Sequence, residues 1–160
     1  RLVAGFLRMA PDIAIVGEVR DREALPLLLT LSSGVKGFTT IHAGSARQAL
    51  TRLRFVCQLA DNDLPMSALN TLVSEAVDVV VHCARGQSGP VVTEILAVED
   101  LAGGAEATQF TVTPLFTRVQ PAAPLTWTGQ LPVRLGRLLH ANQKDVREMF
   151  EQREPGGPPP

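Results

Sequence analysis

The sequence predicts an α/β fold: a parallel-type sheet with helices, followed by a small antiparallel β region and a helical, then disordered, tail. Three observations predict it. Four consecutive apolar residues, Ile13 to Val16, read as a strand covered on both faces and run directly into Gly17-Glu18. Helix-period and strand-period segments then alternate as far as Ala76, in the order αβαβαα. From Val77 the period changes to two, with glycine-bearing turns between the segments.

Each element has a local reason. Residues 1–9 continue a helical pattern that must stop before Pro11, because the residue preceding proline is pushed out of the α region. After strand 13–17, Asp21 is placed to cap a helix reaching about Ser33, with Glu23 near the positive end of its dipole. Pro26 falls near the end of the first turn, where at most one helical hydrogen bond is lost, and Gly34 ends the helix. Residues 38–42 read as the second strand. Ser45 and Gln48 have capping-box spacing, and Ala46, Ala49, Leu50, Leu53, Val56 and Cys57 form one apolar stripe on the helix behind them. A helix with Pro65 at its first position is predicted to bury Leu69, Leu72, Val73 and Ala76. Segments 77–83, 91–98 and 107–117 read as antiparallel strands, turning at Gly86–Pro90 and Gly103-Gly104. A proline-rich linker follows from 120 to 132, then one or two short helices over 133–152 with Asn142 as a cap between them. The tail from Glu154 has nothing with which to order itself.

A chain of 160 residues suits one core and buries about 70% of its unfolded surface. Net charge is −1 and aromatics make up 4% of residues, which opposes a general nucleic-acid-binding role. Cys57 and Cys83 have neither zinc nor disulfide-framework spacing and read as buried small hydrophobes in a reducing compartment. His82 and His140 lack partners at metal spacing and read as structural. No apolar run is long enough to cross a membrane, and no signal peptide is visible.

Ligands of open α/β sheets bind outside the carboxyl ends of the strands, so Glu18 is the first candidate for chemistry. On residues alone two readings stand: a functional carboxylate, or a surface glutamate paired with Arg20 or capping the next helix. His42 follows the second strand, where its imidazole could meet Glu18, a phosphate or a water; a structural histidine is the competing reading.

Two stretches carry a resemblance: LRMAPDIAIVGEVRD (residues 7–21) and GFTTIHAGSARQALTRL (residues 37–53), followed by AVDVVVH at 76–82. Together they resemble the C-terminal ATPase core of the type II/IV secretion and pilus-assembly ATPases, most like the Tad (Flp) branch. GEVR matches that family's Walker B box and TTIHA its histidine box. The resemblance covers residues 2–85 and implies the C-terminal half of a RecA-like P-loop NTPase core. It implies that Glu18 orients the water attacking the γ-phosphate and supports magnesium, and that His42 senses or positions nucleotide. It further implies that Gly17 and Arg20 line the nucleotide site, with Arg20 either a phosphate-side or interface cation or a holder of Glu18. Thr39, Thr40 and Ser45 read as strand and cap residues; Arg47 and Arg52 match arginines near the histidine box of relatives, with a solvated helix face as the leading reading. Val35-Lys36 departs from the His and acidic residue that relatives often carry there, which puts a role for that loop in doubt.

The implied cofactors are ATP and Mg²⁺. The implied assembly is a homo-hexamer working with inner-membrane platform proteins at the cytoplasmic face of the membrane, without nucleic acid. The chain starts at Arg1 and contains no G-x-x-x-x-G-K-[ST] loop, so it is expected to be a piece whose phosphate loop lies upstream, inactive alone. The alternative is a non-catalytic docking module or degenerate paralogue that keeps the fold. The expected organisation is residues 1–100 as half of the core, 101–120 as a strand extension, and 121–160 as linker, short helices and tail.

Overall fold

The structure, a computed structural model, describes residues 11–60, 63–87, 89–104, 109–120 and 122–141. The helix expected before Pro11, the cap at Asn142 and the tail from Glu154 lie outside the described residues. In chain order the elements are β1 (Ile13–Val16), α1 (Ala24–Ser32), β2 (Lys36–Thr39), α2 (Ala46–Ala60), α3 (Met66–Ala76), β3 (Val79–Gly86), β4 (Gly89–Val98), β5 (Val112–Thr117), β6 (Thr126–Trp127) and α4 (Val133–Ala141).

β1 and β2 pair in parallel, with Ile13 opposite Lys36 and Val16 opposite Thr39. The second strand therefore lies two residues earlier than the expected 38–42, and residues 40–42 leave it as irregular chain. One face of this pair packs on α1: Ala14 is buried, and a Cβ at Gly37 would sit 2.7 Å from the Ala14 carbonyl oxygen and collide with Leu31. Only glycine permits that approach. The expectation of a strand covered on both faces is not met, since Ile15 is 74% and Phe38 69% exposed. A continuous apolar run shows that both faces are apolar, and among the described residues only one has a layer over it.

α1 is entered differently from the prediction. Asp21 does not cap it through its side chain; the Glu23 carboxylate reaches back instead, accepting Arg20 N–H at 2.6 Å and Asp21 N–H at 3.0 Å. This is the glutamate arm of a capping box, with no Ser or Thr at its other end. Pro26 is the third residue of α1, where its missing N–H costs little, and the buried Thr30 hydroxyl donates to its carbonyl. Gly34 stops the helix with φ of 98°, a conformation that disfavours any side chain.

α2 follows the sequence closely. All six residues of its predicted stripe are buried, and Ser45 Oγ accepts Gln48 N–H at 3.2 Å, which is the serine arm of the expected capping box. α3 begins at Met66, immediately after Pro65, and buries Leu69, Val73 and Ala76 with Leu72 partly covered. It also buries Asn70 and Ser74, which the apolar pattern does not reveal. The core is the mutual packing of the three helices: Leu27 and Leu28 of α1, Leu50, Leu53 and Val56 of α2, and Leu69 and Val73 of α3, closed by Val19, Val98 and Phe110. Each fully buried branched side chain contributes about 1.5–3 kcal/mol relative to an exposed one.

The remaining strands form an antiparallel sheet ordered β3-β4-β5-β6. The alternation of β3 leaves Cys83 exposed, not buried as expected, whereas Cys57 is buried and its thiol is pushed up to about 11 by burial. His82 Nδ1 lies 2.6 Å from Thr93 Oγ1 on β4, consistent with its structural reading. The stretch read as linker contains β6, whose Trp127 stands opposite Phe116 of β5.

α4 is fixed by a buried carboxylate. Glu99, at the end of β4, accepts Val133 N–H at 3.1 Å and Arg134 N–H at 2.8 Å, with Thr113 Oγ1 donating at 2.7 Å. Removing it strands two helix N–H groups and a hydroxyl. Glu99→Ala is expected to cost about 2 kcal/mol. The melting temperature should fall by about 4–8 °C for a chain of this size, with Glu99→Gln milder. An unchanged melting temperature in Glu99→Ala would refute the anchoring role.

Candidate functional site

The two candidate residues arrive at one place because β1 and β2 leave their sheet at the same edge. Beyond Val16 the chain keeps an alternating path: Val19 is buried, while Glu18 and Arg20 lie on the open side. Beyond Thr39, Ile41 likewise packs against the core, and Thr40 and His42 stay exposed. Val19 N–H donates to the Thr40 carbonyl at 2.8 Å, tying the two excursions together.

The Glu18 side chain is 25% exposed. Arg20 Nη2 donates to its Oε2 at 2.6 Å, and His42 Nε2 lies 3.2 Å from its Oε1, an ion pair when the imidazole is protonated. A carboxylate has about four acceptor positions, so both oxygens can still take a water or another donor. The Arg20 hydrogen bond, with the charges of Arg20, His42 and Arg52, holds the Glu18 carboxyl below the usual carboxylate range. Glu23 is lowered too, by the backbone N–H groups of the same turn.

All four predicted site residues therefore lie within one short loop pair. Gly17 is exposed and a Cβ there would meet nothing, so the space above the strand end is open. His42 is 84% exposed at its side chain, so it is not packed into the core. For Glu18 both readings keep an observation: it is paired with Arg20, as the surface reading held, and it also faces His42. The helix-capping version belongs to Glu23.

Sequence reasoning missed two contributors and set a third behind its solvated reading. Arg52, read as a solvated helix residue, is close enough for its charge to act on Glu18. Glu23 was visible only as an acidic residue near a helix start, because Arg20 does not have a capping residue's side chain. Thr40, read as a strand residue, donates its hydroxyl to the Gly17 carbonyl at 2.6 Å across 23 residues of sequence. Arg47 is exposed, as its solvated reading held, and its guanidinium also donates to the Phe110 carbonyl at 2.9 Å. Among the described residues no cluster of three or more His, Cys, Asp or Glu could hold a metal ion by itself.

The fold and this loop pair define an α/β protein with an anionic group, flanked by cations, at the C-terminal mouth of a parallel strand pair. The family described as Type II/IV secretion system protein matches residues 1–110, and the chain belongs to that family. The chain is 39% identical over 100 residues to the conjugal transfer protein TrbB of Rhizobium radiobacter, covering 62% of this chain and 30% of that protein. It is 41% identical over 87 residues to the type IV secretion system protein PtlH of Bordetella pertussis, covering 52% and 26%. Among solved structures, the VirB11 ATPase of the Brucella suis type IV secretion system, in complex with sulphate, matches with a TM-score of 0.55 and 30% identity. That match covers 59% of this chain and 30% of the other. The α/β fold is thus similar to that of VirB11, and the chain spans less than a third of the length of these relatives.

Because the Glu18 pKa is lowered on folding, its ionisation adds stability above the ordinary carboxylate range, and that stability is lost as pH falls through the lowered value. Arg20→Ala should raise the Glu18 midpoint toward the unperturbed value of about 4.3, read by carboxyl ¹³C NMR titration. A midpoint that does not move would show that the ion pair is not formed in solution.

Proposed function

We propose that this chain is the Walker B and histidine-box portion of an ATPase that drives macromolecule export, with Glu18 orienting the attacking water. The reading is carried by the juxtaposition of Glu18, Arg20 and His42 outside the carboxyl ends of two parallel strands. Membership of the secretion family and likeness to an ATPase of that family support it.

Phosphoryl transfer from ATP passes through a loose transition state, so the protein contributes positioning and charge stabilisation more than proton abstraction. A carboxylate kept ionised by Arg20 and Arg52 suits such a role, because it accepts a hydrogen bond from water and aims its lone pair without needing to take the proton early. His42, exposed beside it, can fix the second face of the water or meet a phosphate oxygen. Magnesium would be held here mainly by phosphate oxygens and waters, with Glu18 as its protein support, since among the described residues no group of three or more His, Cys, Asp or Glu could hold a metal ion by itself. When bound, the ion would neutralise phosphate charge.

On this reading β1, β2 and the helices form the C-terminal half of a RecA-like P-loop core, with residues 1–100 as its body. The hexamer, the membrane platform and the ATP-binding loop belong to the longer protein. The relatives' names speak for conjugal transfer and type IV secretion, and the Tad (Flp) assignment rests on the sequence resemblance alone. Among the described residues no helix is long and apolar enough to cross a membrane, which suits a motor seated at the membrane's inner face.

In the longer protein, Glu18→Gln is expected to keep nucleotide binding and lower hydrolysis by about 10²–10⁴-fold in a phosphate-release assay. Normal turnover in that variant would end the assignment. His42→Ala should lower turnover at least about tenfold, within the range of one positioned group, while thermal stability holds because the side chain is exposed. A large loss of stability with intact turnover would return His42 to a structural role.

A further inference from the structure

Glu18 sits on a short irregular turn, and something must hold that turn still if the carboxylate is to aim a water. The two residues flanking Glu18 carry the relevant bonds. The Gly17 carbonyl accepts the Thr40 hydroxyl at 2.6 Å, and the Val19 N–H donates to the Thr40 carbonyl at 2.8 Å. Thr40 therefore grips the backbone on both sides of Glu18, with one bond from its side chain and one from its main chain. The β1–β2 ladder has already ended at Val16 and Thr39, so these bonds extend the strand pairing to the functional turn. Downstream, the Glu23 carboxylate holds the N–H groups of Arg20 and Asp21. Thr40 is also two residues before His42, so the residue that positions Glu18 sets the start of the histidine's own excursion.

We infer that Thr40 is a positioning residue for hydrolysis, acting through Glu18: its hydroxyl fixes the Gly17 carbonyl and so the carboxylate's aim relative to His42. The inference rests on the reading of Glu18 as the water-orienting group. Thr40 is exposed, and its hydroxyl bond spans the site rather than the core, so a fold-stability role does not account for it. A hydroxyl is required and a β-branched methyl is not, which makes valine the disabling change and serine the restoring one. The main-chain bond survives either substitution, so the loss should be partial.

The test uses ATP hydrolysis by the longer protein that carries this chain. Thr40→Val is expected to lower kcat about tenfold, a partial misplacement of a reacting group, with KM for ATP little changed. Thr40→Ser should recover most of that loss. Adding Thr40→Val to Glu18→Gln should lower kcat no further, because residues acting through one group are not additive. Full activity in Thr40→Val, alongside a Glu18→Gln variant that has lost turnover, would overturn this inference and leave the Glu18 assignment standing. An additional, independent loss in the double variant would overturn it as well, by showing that Thr40 acts elsewhere. Normal turnover in Glu18→Gln alone would overturn the assignment and this inference together.

Discussion

The parallel pairing of β1 with β2 determines what can happen at Glu18. Parallel neighbours end at one edge, so residues 24 apart in sequence meet there, and the register Val16 opposite Thr39 sets how far each chain travels before it turns. A slip of one residue would exchange the two faces of the strand. Val19 would then face solvent and Glu18 the helical core, where a charged carboxylate would be costly. The burial of Val19 and Ile41 is therefore part of the site's construction: two apolar side chains are held in the core so that the charged neighbours on either side stand clear of it.

Electrostatics then selects what the carboxylate can do. A glutamate in an apolar pocket gains basicity, whereas one beside guanidinium groups loses it. Glu18 belongs to the second kind, with Arg20 bonded to one oxygen and the Arg52 charge acting from α2. Such a group is a poor proton acceptor and a good hydrogen-bond anchor. That division matches a reaction whose transition state asks for orientation before deprotonation.

The helical core was legible from the chain because its signal is local. The α2 stripe repeats at helical spacing, and every predicted member is buried. Glu18, Arg20 and His42 were legible because strand ends and family motifs mark them within a few residues. What the sequence hid is nonlocal. The Thr40 hydroxyl and the Gly17 carbonyl lie 23 residues apart and neither has a distinctive neighbourhood. β6 is two residues long in a proline-rich stretch, and it exists only because β5 offers an edge. Ile13 and Ile15 show the opposite error, in which apolarity was taken for coverage although a sheet face is covered only by what packs on it.

Glu99 and Arg134 extend the same reasoning past residue 110, where the family match ends. Glu99 lies inside the matched segment and satisfies the first N–H groups of α4, which lies outside it. Arg134, from that same first turn, returns the exchange: its guanidinium donates to the carbonyls of Ser74, Glu75 and Val77 and to the Asp78 carboxylate at the end of α3. One helix start and one helix end, each with polar groups its own backbone cannot satisfy, are thus completed by a residue from elsewhere. The Ser74 hydroxyl, donating to the Glu99 carbonyl, joins the two ends. Because all but the Asp78 bond are made to backbone groups that would otherwise be stranded, α4 cannot leave without exposing or orphaning both helix ends at once. The start of α4, inside the stretch where the sequence predicts short helices, is thus held by helix-end chemistry that hydrophobic periodicity does not encode.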